Sequence, residues 1–212
     1  MTEKLPPPPD AQDDFSTFSA LACAADFLGM RAMVVAGFDL MRLNQHGDTI
    51  LEVVIRDLPF SQGTPRHMVI KEMLSLGADA KQRNADGSGP LFSAVLNMDT
   101  EVIGILMDAG ADPNLEQMDS AYESLYDWAE FDYQYEVWDL SLPQEEAATD
   151  RADEDSWLRY LDRLAIQHGK QRPEHLIRLR QGGAMSMTEL NGLPSSPHFG
   201  TLDSLRKASQ KE

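Results

Sequence analysis

The 212-residue chain has one cysteine and no apolar run that approaches the length of a membrane-spanning helix. A lone cysteine, Cys23, excludes an internal disulfide and a zinc site built on several thiolates. The first residues also lack the apolar segment of a secretory signal, so we expect a cytoplasmic protein. Because 42% of the residues are hydrophobic and 25% are charged, the composition excludes a fully disordered chain and favours one domain with tails.

Positive charge is scarce as well. The sequence has 18 Lys and Arg against 35 Asp and Glu, which gives a formal net charge of −17. Residues 84–150 contain no Lys or Arg, whereas sixteen of them are acidic, so almost the whole excess lies in this block. Since phosphate contacts need cations, the charge argues against a nucleic-acid binder. The block is either a solvated face that aids solubility or a docking surface for a basic protein.

The acidic block is also rich in aromatic residues. Seven of the 16 aromatic side chains lie between positions 122 and 138, namely Tyr122, Tyr126, Trp128, Phe131, Tyr133, Tyr135 and Trp138. Some of them must fill core positions, but Phe131, Tyr133 and Tyr135, which occupy every second position, cannot all point inward from a helix. The remainder are candidate anchors for a protein partner, because aromatic side chains dominate the energetics of interfaces.

The chain contains an internal repeat. Residues 76–79 read LGAD, and residues 109–112 read AGAD, 33 positions later. A weaker copy, AGFD, lies at residues 36–39, and a degenerate one, GGA, lies at residues 182–184. Each copy ends an apolar pattern that fits one face of a helix. Because glycine adopts the left-handed conformation without strain, we predict helix ends at Gly37, Gly77, Gly110 and Gly183.

A second motif belongs to the same repeat. Residues 86–94 read DGSGPLFSA and match the ankyrin pattern D-G-x-T-P-L-H-x-A at five of its seven specified positions. Residues 46–54 are a weaker copy, and residues 123–129 are a loose one. A 33-residue period of helix, Gly-Ala-Asp turn, loop and second helix resembles the ankyrin repeat. The resemblance implies an all-α solenoid of about four stacked helix-turn-helix repeats with short hairpin loops.

Changes in composition and spacing predict the domain layout. Residues 1–13, with four consecutive prolines, are predicted to be an extended leader, and residues 185–212 a flexible tail. The repeat domain then covers residues 14–184, with residues 15–25 and 27–35 as its first helical hairpin. Its fourth glycine comes seven residues later than two further periods allow. The excess is either an acidic helical insertion at about residues 130–172 or a pair of worn repeats, with a helix at 155–168 in both cases.

Reaction machinery is missing from the sequence. The five histidines lie far apart, and none has metal-ligand spacing to another. Residues 86–90 are rich in glycine but lack the lysine of a phosphate-binding loop. His175 occupies an apolar helical position and is predicted to be a core residue, and Cys23 is predicted to be a buried structural thiol. We therefore expect no catalytic residue, no cofactor and no metal site.

These observations predict a non-catalytic binding module that grips a basic protein partner through an acidic, aromatic-rich surface, with neither nucleic acid nor membrane involved. The ankyrin resemblance implies contacts at hairpin tips and on the inner helix face, here Asn84, Asp86, Ser88 and Met98. The acidic stretch adds Tyr122, Tyr126, Trp128, Phe131, Asp132, Tyr133, Glu136 and Trp138.

Three functions fit such a module. We favour an inhibitor of a toxin-like enzyme, by analogy with small acidic immunity proteins, because a dense array of carboxylates can occupy a cleft built for phosphate. The first alternative is a structural adaptor or scaffold protein in which the acids serve only solubility. The second is an enzyme subunit that uses the region around residues 119–172 as an active-site lid.

Overall fold

The computed structural model describes residues 10–58, 66–115, 124–143 and 153–192. All regular secondary structure in these ranges is helical, which confirms the all-α prediction. None of the helices within them is long and apolar enough to cross a membrane. The chain divides into two compact units, Met1–Ala111 and Asp112–Glu212.

Helical hairpins make up the described part of the first unit. Its helices are α1 (Asp10–Cys23), α2 (Phe27–Val35), α3 (Ile50–Asp57), α4 (Arg66–Ser75), α5 (Pro90–Leu96) and α6 (Thr100–Asp108). The two helices of each hairpin pack on each other, α3 also contacts α1 and α5, and α6 contacts α4. Successive hairpins therefore pack in chain order, with α1, α3 and α5 in one row. The predicted first hairpin is confirmed.

Each hairpin ends in the same way. The backbone φ angle is positive at the three equivalent positions Gly37, Gly77 and Gly110. Two residues after each glycine, an aspartate carboxylate accepts a hydrogen bond of 2.9 Å from the backbone N–H two positions further on; these are Asp39, Asp79 and Asp112. The repeated glycine thus marks the end of a helix, as predicted, and the repeated aspartate fixes the turn that follows.

Arg66, the first residue of α4, ties the second hairpin to the third. Its guanidinium donates to the backbone carbonyls of Ile55 and Leu58 at the end of α3 and to Asp99 Oδ2 at 2.8 Å. Asp99 is also the N-cap of α6, where its Oδ1 accepts from the N–H of Val102 at 3.1 Å. Both charged side chains are only 11% exposed. These charge-assisted hydrogen bonds satisfy backbone C=O and N–H groups at helix ends that would otherwise lack a partner.

The second unit contains α7 (Leu125–Trp138), α8 (Glu154–His168), α9 (Glu174–Gln181) and α10 (Met187–Gly192). Helix α7 packs on α9, where the rings of Tyr133 and His175 lie 5.6 Å apart. Helix α8 matches the helix predicted at residues 155–168, and its apolar face is buried. Gly183 follows α9 with a φ of +86°, like the glycines of the first unit.

Three boundaries differ from the predictions. Helix α1 begins at Asp10, so the last residues assigned to the extended leader are helical. Helix α7 runs through residue 130 without a break, so the predicted start of the insertion falls within a helix. Helix α10 lies in the segment expected to be a flexible tail, and that prediction is wrong for residues 187–192. Residues 1–9 and 193–212 lie outside the described ranges.

Helix α10 forms because its first turn is capped and paired. Ser186 N–H donates to Glu189 Oε2 at 2.8 Å, and Glu189 N–H donates to Ser186 Oγ at 3.3 Å, which is a capping box. The same Glu189 carboxylate accepts from the Arg180 guanidinium of α9 at 2.6 Å. Arg180 also pairs with Asp155 of α8 at 2.9 Å. One arginine therefore links three helices of the second unit.

Candidate partner-binding surface

The direction of α7 is fixed at its first turn. Ser124 and Asp127 form a capping box, in which Asp127 Oδ2 accepts from the Ser124 N–H at 2.9 Å. The same oxygen accepts from the backbone N–H of Met187 at 2.7 Å, which attaches the start of α10 to the start of α7. Helix α7, which carries the acidic and aromatic residues, is therefore held in place by hydrogen bonds at its first turn.

The inward face of α7 carries three of the predicted contact residues. Tyr126, Tyr133 and Trp138 are almost fully buried, which corrects the prediction that they touch a partner. Tyr126 and Tyr133 are seven residues apart and so share the stripe that packs towards α9. The Arg180 guanidinium lies 5.3 Å from the Tyr126 ring centroid, and the Tyr133 hydroxyl donates to the carbonyl of Gln171 at 2.6 Å. These aromatic residues form the core of the second unit.

The outward face of α7 carries the other predicted contact residues of this helix, which are Trp128, Phe131, Asp132 and Glu136. Phe131 is 58% exposed and Tyr135 is 53% exposed, one helical turn apart. Asp132 and Glu136 follow these rings along the helix, Asp139 is exposed just past its end, and Trp128 is half-buried one turn earlier. We call the six residues Trp128, Phe131, Asp132, Tyr135, Glu136 and Asp139 the α7 surface. Tyr135 was missing from the predicted contact residues, although its four-residue spacing from Phe131 is a signal that places it on the same face.

The carboxylates of the α7 surface repel one another. Asp132 and Glu136 are one turn apart, and partial burial together with the charge of Glu136 raises the pKa of Asp132. Among the residues that the structure describes, no Lys or Arg forms an ion pair with either side chain. A cationic group brought to this face would relieve that repulsion, so the surface is electrostatically suited to a basic partner.

Two loops of the first unit repeat one structure. Asn44 Oδ1 accepts from the N–H groups of His46 and Asp48, and Asn84 Oδ1 accepts from those of Asp86 and Ser88. The loops are also joined directly, because the N–H of Ala85 donates to the carbonyl of Gly47 at 2.9 Å. The loops preceding α3 and α5 therefore lie side by side.

Asn84 has a structural role in this pair of loops. While its side-chain oxygen holds its own loop, its Nδ2 donates to Glu52 Oε1 of α3 at 2.8 Å. Both the oxygen and the nitrogen of the Asn84 amide therefore form hydrogen bonds within the chain, so Asn84 is not part of the candidate surface. Glu52 is buried, and its Oε2 accepts a hydrogen bond of 2.9 Å from the backbone N–H of Thr49.

The remaining predicted contacts of the first unit do not form one site. Asp86 is exposed at its loop tip, and Ser88 is half-buried beside it. Met98 lies past the opposite end of α5, in the turn to α6, where its φ is +49°. Tyr122 lies outside the described residues. The α7 surface is therefore the best-defined candidate.

Groups capable of chemistry are dispersed in the described ranges. No set of three His, Cys, Asp or Glu side chains there is placed to hold a metal ion. Burial lowers the pKa of His175 to about 4, and its Nε2 has no hydrogen-bond partner. The prediction that His175 is a core residue is confirmed. Cys23 is half-buried rather than buried, and burial raises the pKa of its thiol.

No family model matches this chain, and no curated protein matches it either.

Proposed function

We propose that this chain is a non-catalytic binding module whose α7 surface binds a basic protein, and whose first unit is an ankyrin-type repeat array. The observation that carries the binding proposal is the exposure of Phe131 and Tyr135 beside three carboxylates on a helix fixed at its first turn. A partner that covers the exposed parts of these rings removes apolar surface from water, which stabilises the complex by roughly 25 cal/mol for each Å² covered.

The repeat-array proposal is supported by equivalence between hairpins. The turn after each second helix uses the same glycine and aspartate, and the loops at residues 44–48 and 84–88 use the same asparagine bonds. A fourth copy of the helix end occurs at Gly183, where the N–H of Ala184 donates to the carbonyl of Leu179. In a repeat array each unit buries its apolar face only against its neighbours, which leaves an extended sidewall open to a partner.

The charges define the kind of partner. Carboxylates around two aromatic anchors attract a cationic surface and speed its encounter, while the rings supply most of the binding free energy. The acidic block around α7 contains no Lys or Arg in sequence, so nothing in that block offsets its field. We place the chain among inhibitors that occupy the cleft of a nucleic-acid-acting, toxin-like enzyme, because such a cleft presents cations arranged for phosphate.

Affinity capture with three baits tests the function. The wild-type chain and the variant Leu28→Ser/Val35→Ser, which removes two exposed apolar side chains of α2, should retain the same basic protein in stoichiometric amount. The variant Phe131→Ser/Tyr135→Ser should lose it. The captured protein is then assayed on nucleic-acid substrate with increasing amounts of the chain. Inhibition that saturates at a fixed ratio supports the inhibitor, binding without inhibition favours an adaptor, and equal capture by all three baits contradicts the α7 surface.

A further inference from the structure

The described part of the second unit supplies no cation to the carboxylates of the α7 surface. Asp132 and Glu136 form no ion pair with any Lys or Arg in the described ranges. Other cations of this unit have other contacts. The guanidinium groups of Arg172 and Arg180 pair with other carboxylates at 2.7 and 2.6 Å, and the Lys170 ammonium lies 5.9 Å from the centroid of a buried ring. The charge of the α7 surface is therefore uncompensated within these ranges.

A basic segment follows α10 in the sequence. Residues 206–211 read RKASQK, which gives three of the chain's 18 Lys and Arg and no acid within six positions. Leu202 and Leu205 come just before them. We call residues 202–211 the basic segment; it lies beyond the described ranges. Its leucines and cations are the chemical complement of the α7 surface, which presents exposed rings next to carboxylates.

The basic segment is close enough in the chain to reach the α7 surface. The Met187 N–H donates to Asp127 Oδ2 at 2.7 Å, so α10 starts beside the first turn of α7. The path from Gly192 back along α10, across this hydrogen bond and along α7 to Glu136 is about 30 Å long, given 1.5 Å per helical residue. Residues 193–204 span up to about 40 Å when fully extended. The cations that follow them can therefore lie against α7 of the same chain.

We infer that the basic segment binds the α7 surface of its own chain. In this contact the two leucines cover exposed parts of Phe131 and Tyr135, and the cations lie beside Asp132 and Glu136. The added positive charge relieves the repulsion between the two carboxylates. Because both sides belong to one chain, the effective concentration of the segment at the surface is on the order of 1 mM, so an intrinsically weak contact is sufficient.

This contact makes the basic segment a competitor of a basic protein that binds the same surface. A partner then meets the α7 surface only in the fraction of molecules whose segment has left it. Its apparent dissociation constant rises by the inverse of that fraction. The competition rests on the proposed function, whereas the contact itself is measured on the chain alone.

Paramagnetic relaxation in the full chain tests the contact. Because the chain has a single cysteine, Cys23→Ser/Ser209→Cys places one nitroxide label within the basic segment. Relative to the reduced label, the nitroxide should weaken the amide NMR signals of residues 131–136 by about half or more, because the contact is populated in most molecules. Salt at about 1 M should restore the signals by screening the charges.

Two outcomes of this experiment would overturn the inference. The first is full signal intensity at residues 131–136 in the presence of the nitroxide. The second is equal weakening when the nitroxide and the ¹⁵N label are on different molecules, which would assign the contact to a second copy of the chain.

Exchange of charges within the labelled chain tests the pairing. Lys207→Glu/Lys211→Glu should abolish the weakening, since like charges then meet at the α7 surface. Adding Asp132→Lys/Glu136→Lys to that variant should restore it, because the opposite charges are paired again. Circular dichroism shows whether each variant is folded. A folded, charge-exchanged chain without the weakening contradicts the pairing.

A matched control and a cationic probe complete the test. Lys71→Glu/Lys81→Glu makes the same change at two exposed positions of the first unit and should leave the weakening unchanged. Decalysine, used as the probe of a basic partner, should restore the signals by displacing the segment. Weakening that persists at saturating decalysine contradicts competition for one surface. Failure to capture a basic protein in the affinity experiment above would instead contradict the proposed function and leave the contact standing.

Discussion

Asn84 and Glu52 are joined by a hydrogen bond of 2.8 Å that connects the loop before α5 to the helix of the preceding hairpin. Glu52 is 4% exposed, and burial raises the pKa of its carboxyl group. Its second oxygen completes the capping box of α3 with Thr49. Asn84 therefore satisfies one oxygen of a buried carboxylate, and the same hydrogen bond links two hairpins.

Replacing Asn84 by alanine should destabilise the first unit. The Asn84→Ala variant leaves one oxygen of a buried carboxylate unpaired, and the expected loss is about 2 kcal/mol or more of unfolding free energy. Urea denaturation measures it. Asn44→Ala is the control, because Asn44 makes the same loop bonds but its Nδ2 donates to the less buried Asp48. Equal losses in the two variants would contradict the special role of the bond to Glu52.

The contact between the two loops predicts a cost for a methyl group at Gly47. A Cβ atom there would lie 2.4 Å from the Ala85 Cβ, in a backbone with a φ of +87°. Gly77 has a similar φ but open space around it. Gly77→Ala should therefore cost about 1–2 kcal/mol from backbone strain alone, and Gly47→Ala should cost more. Adding Ala85→Gly to Gly47→Ala should recover the difference in melting temperature, and no recovery would argue against close loop contact.

His175 should make stability depend on pH. Its pKa is about 4 in the folded chain, below the usual value of 6.5, because burial disfavours the charged imidazole. Between these values the unfolded chain binds a proton that the folded chain does not, so stability falls as the pH is lowered through this window. The loss amounts to about 3 kcal/mol when complete.

Unfolding free energies at pH 7, 5.5 and 4.5 measure this effect. The His175→Gln variant should show a shallower decline than wild type between the first and last values. His46→Gln, at an exposed loop position, should decline like wild type. An unchanged slope in His175→Gln would show that another group carries the pH dependence.

The two faces of α7 should respond differently to truncation. Trp138 is 6% exposed, and Trp138→Ala should cost about 3–5 kcal/mol of stability through lost packing. Phe131→Ala removes a side chain from the outward face and should change stability by less than about 0.5 kcal/mol. Thermal melts of the two variants compare these values directly. A large loss in Phe131→Ala would place that ring in the core instead.

The hairpins of the first unit were predictable because the residues that end each of them, a glycine and an aspartate, each have one specific conformational role. A glycine at a left-handed position and an aspartate that caps the following turn recur at Gly77 and Gly110 with the same spacing. The Ser186–Glu189 capping box is also a local signal for a helix start, whereas the composition of the last 28 residues as a whole favours a flexible tail. Local capping chemistry decided the structure there, against the average composition.

The faces of α7 were less predictable. Aromatic and acidic residues alternate so closely that both the inward and the outward face of this helix carry rings, and the contrast between apolar and polar faces is weak. Tyr126 and Tyr133 face inward because α9 packs there, with His175 and Arg180 against their rings. A packing partner more than 40 residues away in sequence decides that choice, and the local pattern does not contain it.

Isothermal titration of the captured basic protein with the chain and with its Phe131→Ala/Tyr135→Ala variant tests whether the α7 surface is the binding site. We expect the variant to bind at least about tenfold more weakly, with an unchanged melting temperature, because the two rings are anchors and not core residues. A variant that is folded and binds with wild-type affinity would show that the α7 surface is not where the partner binds.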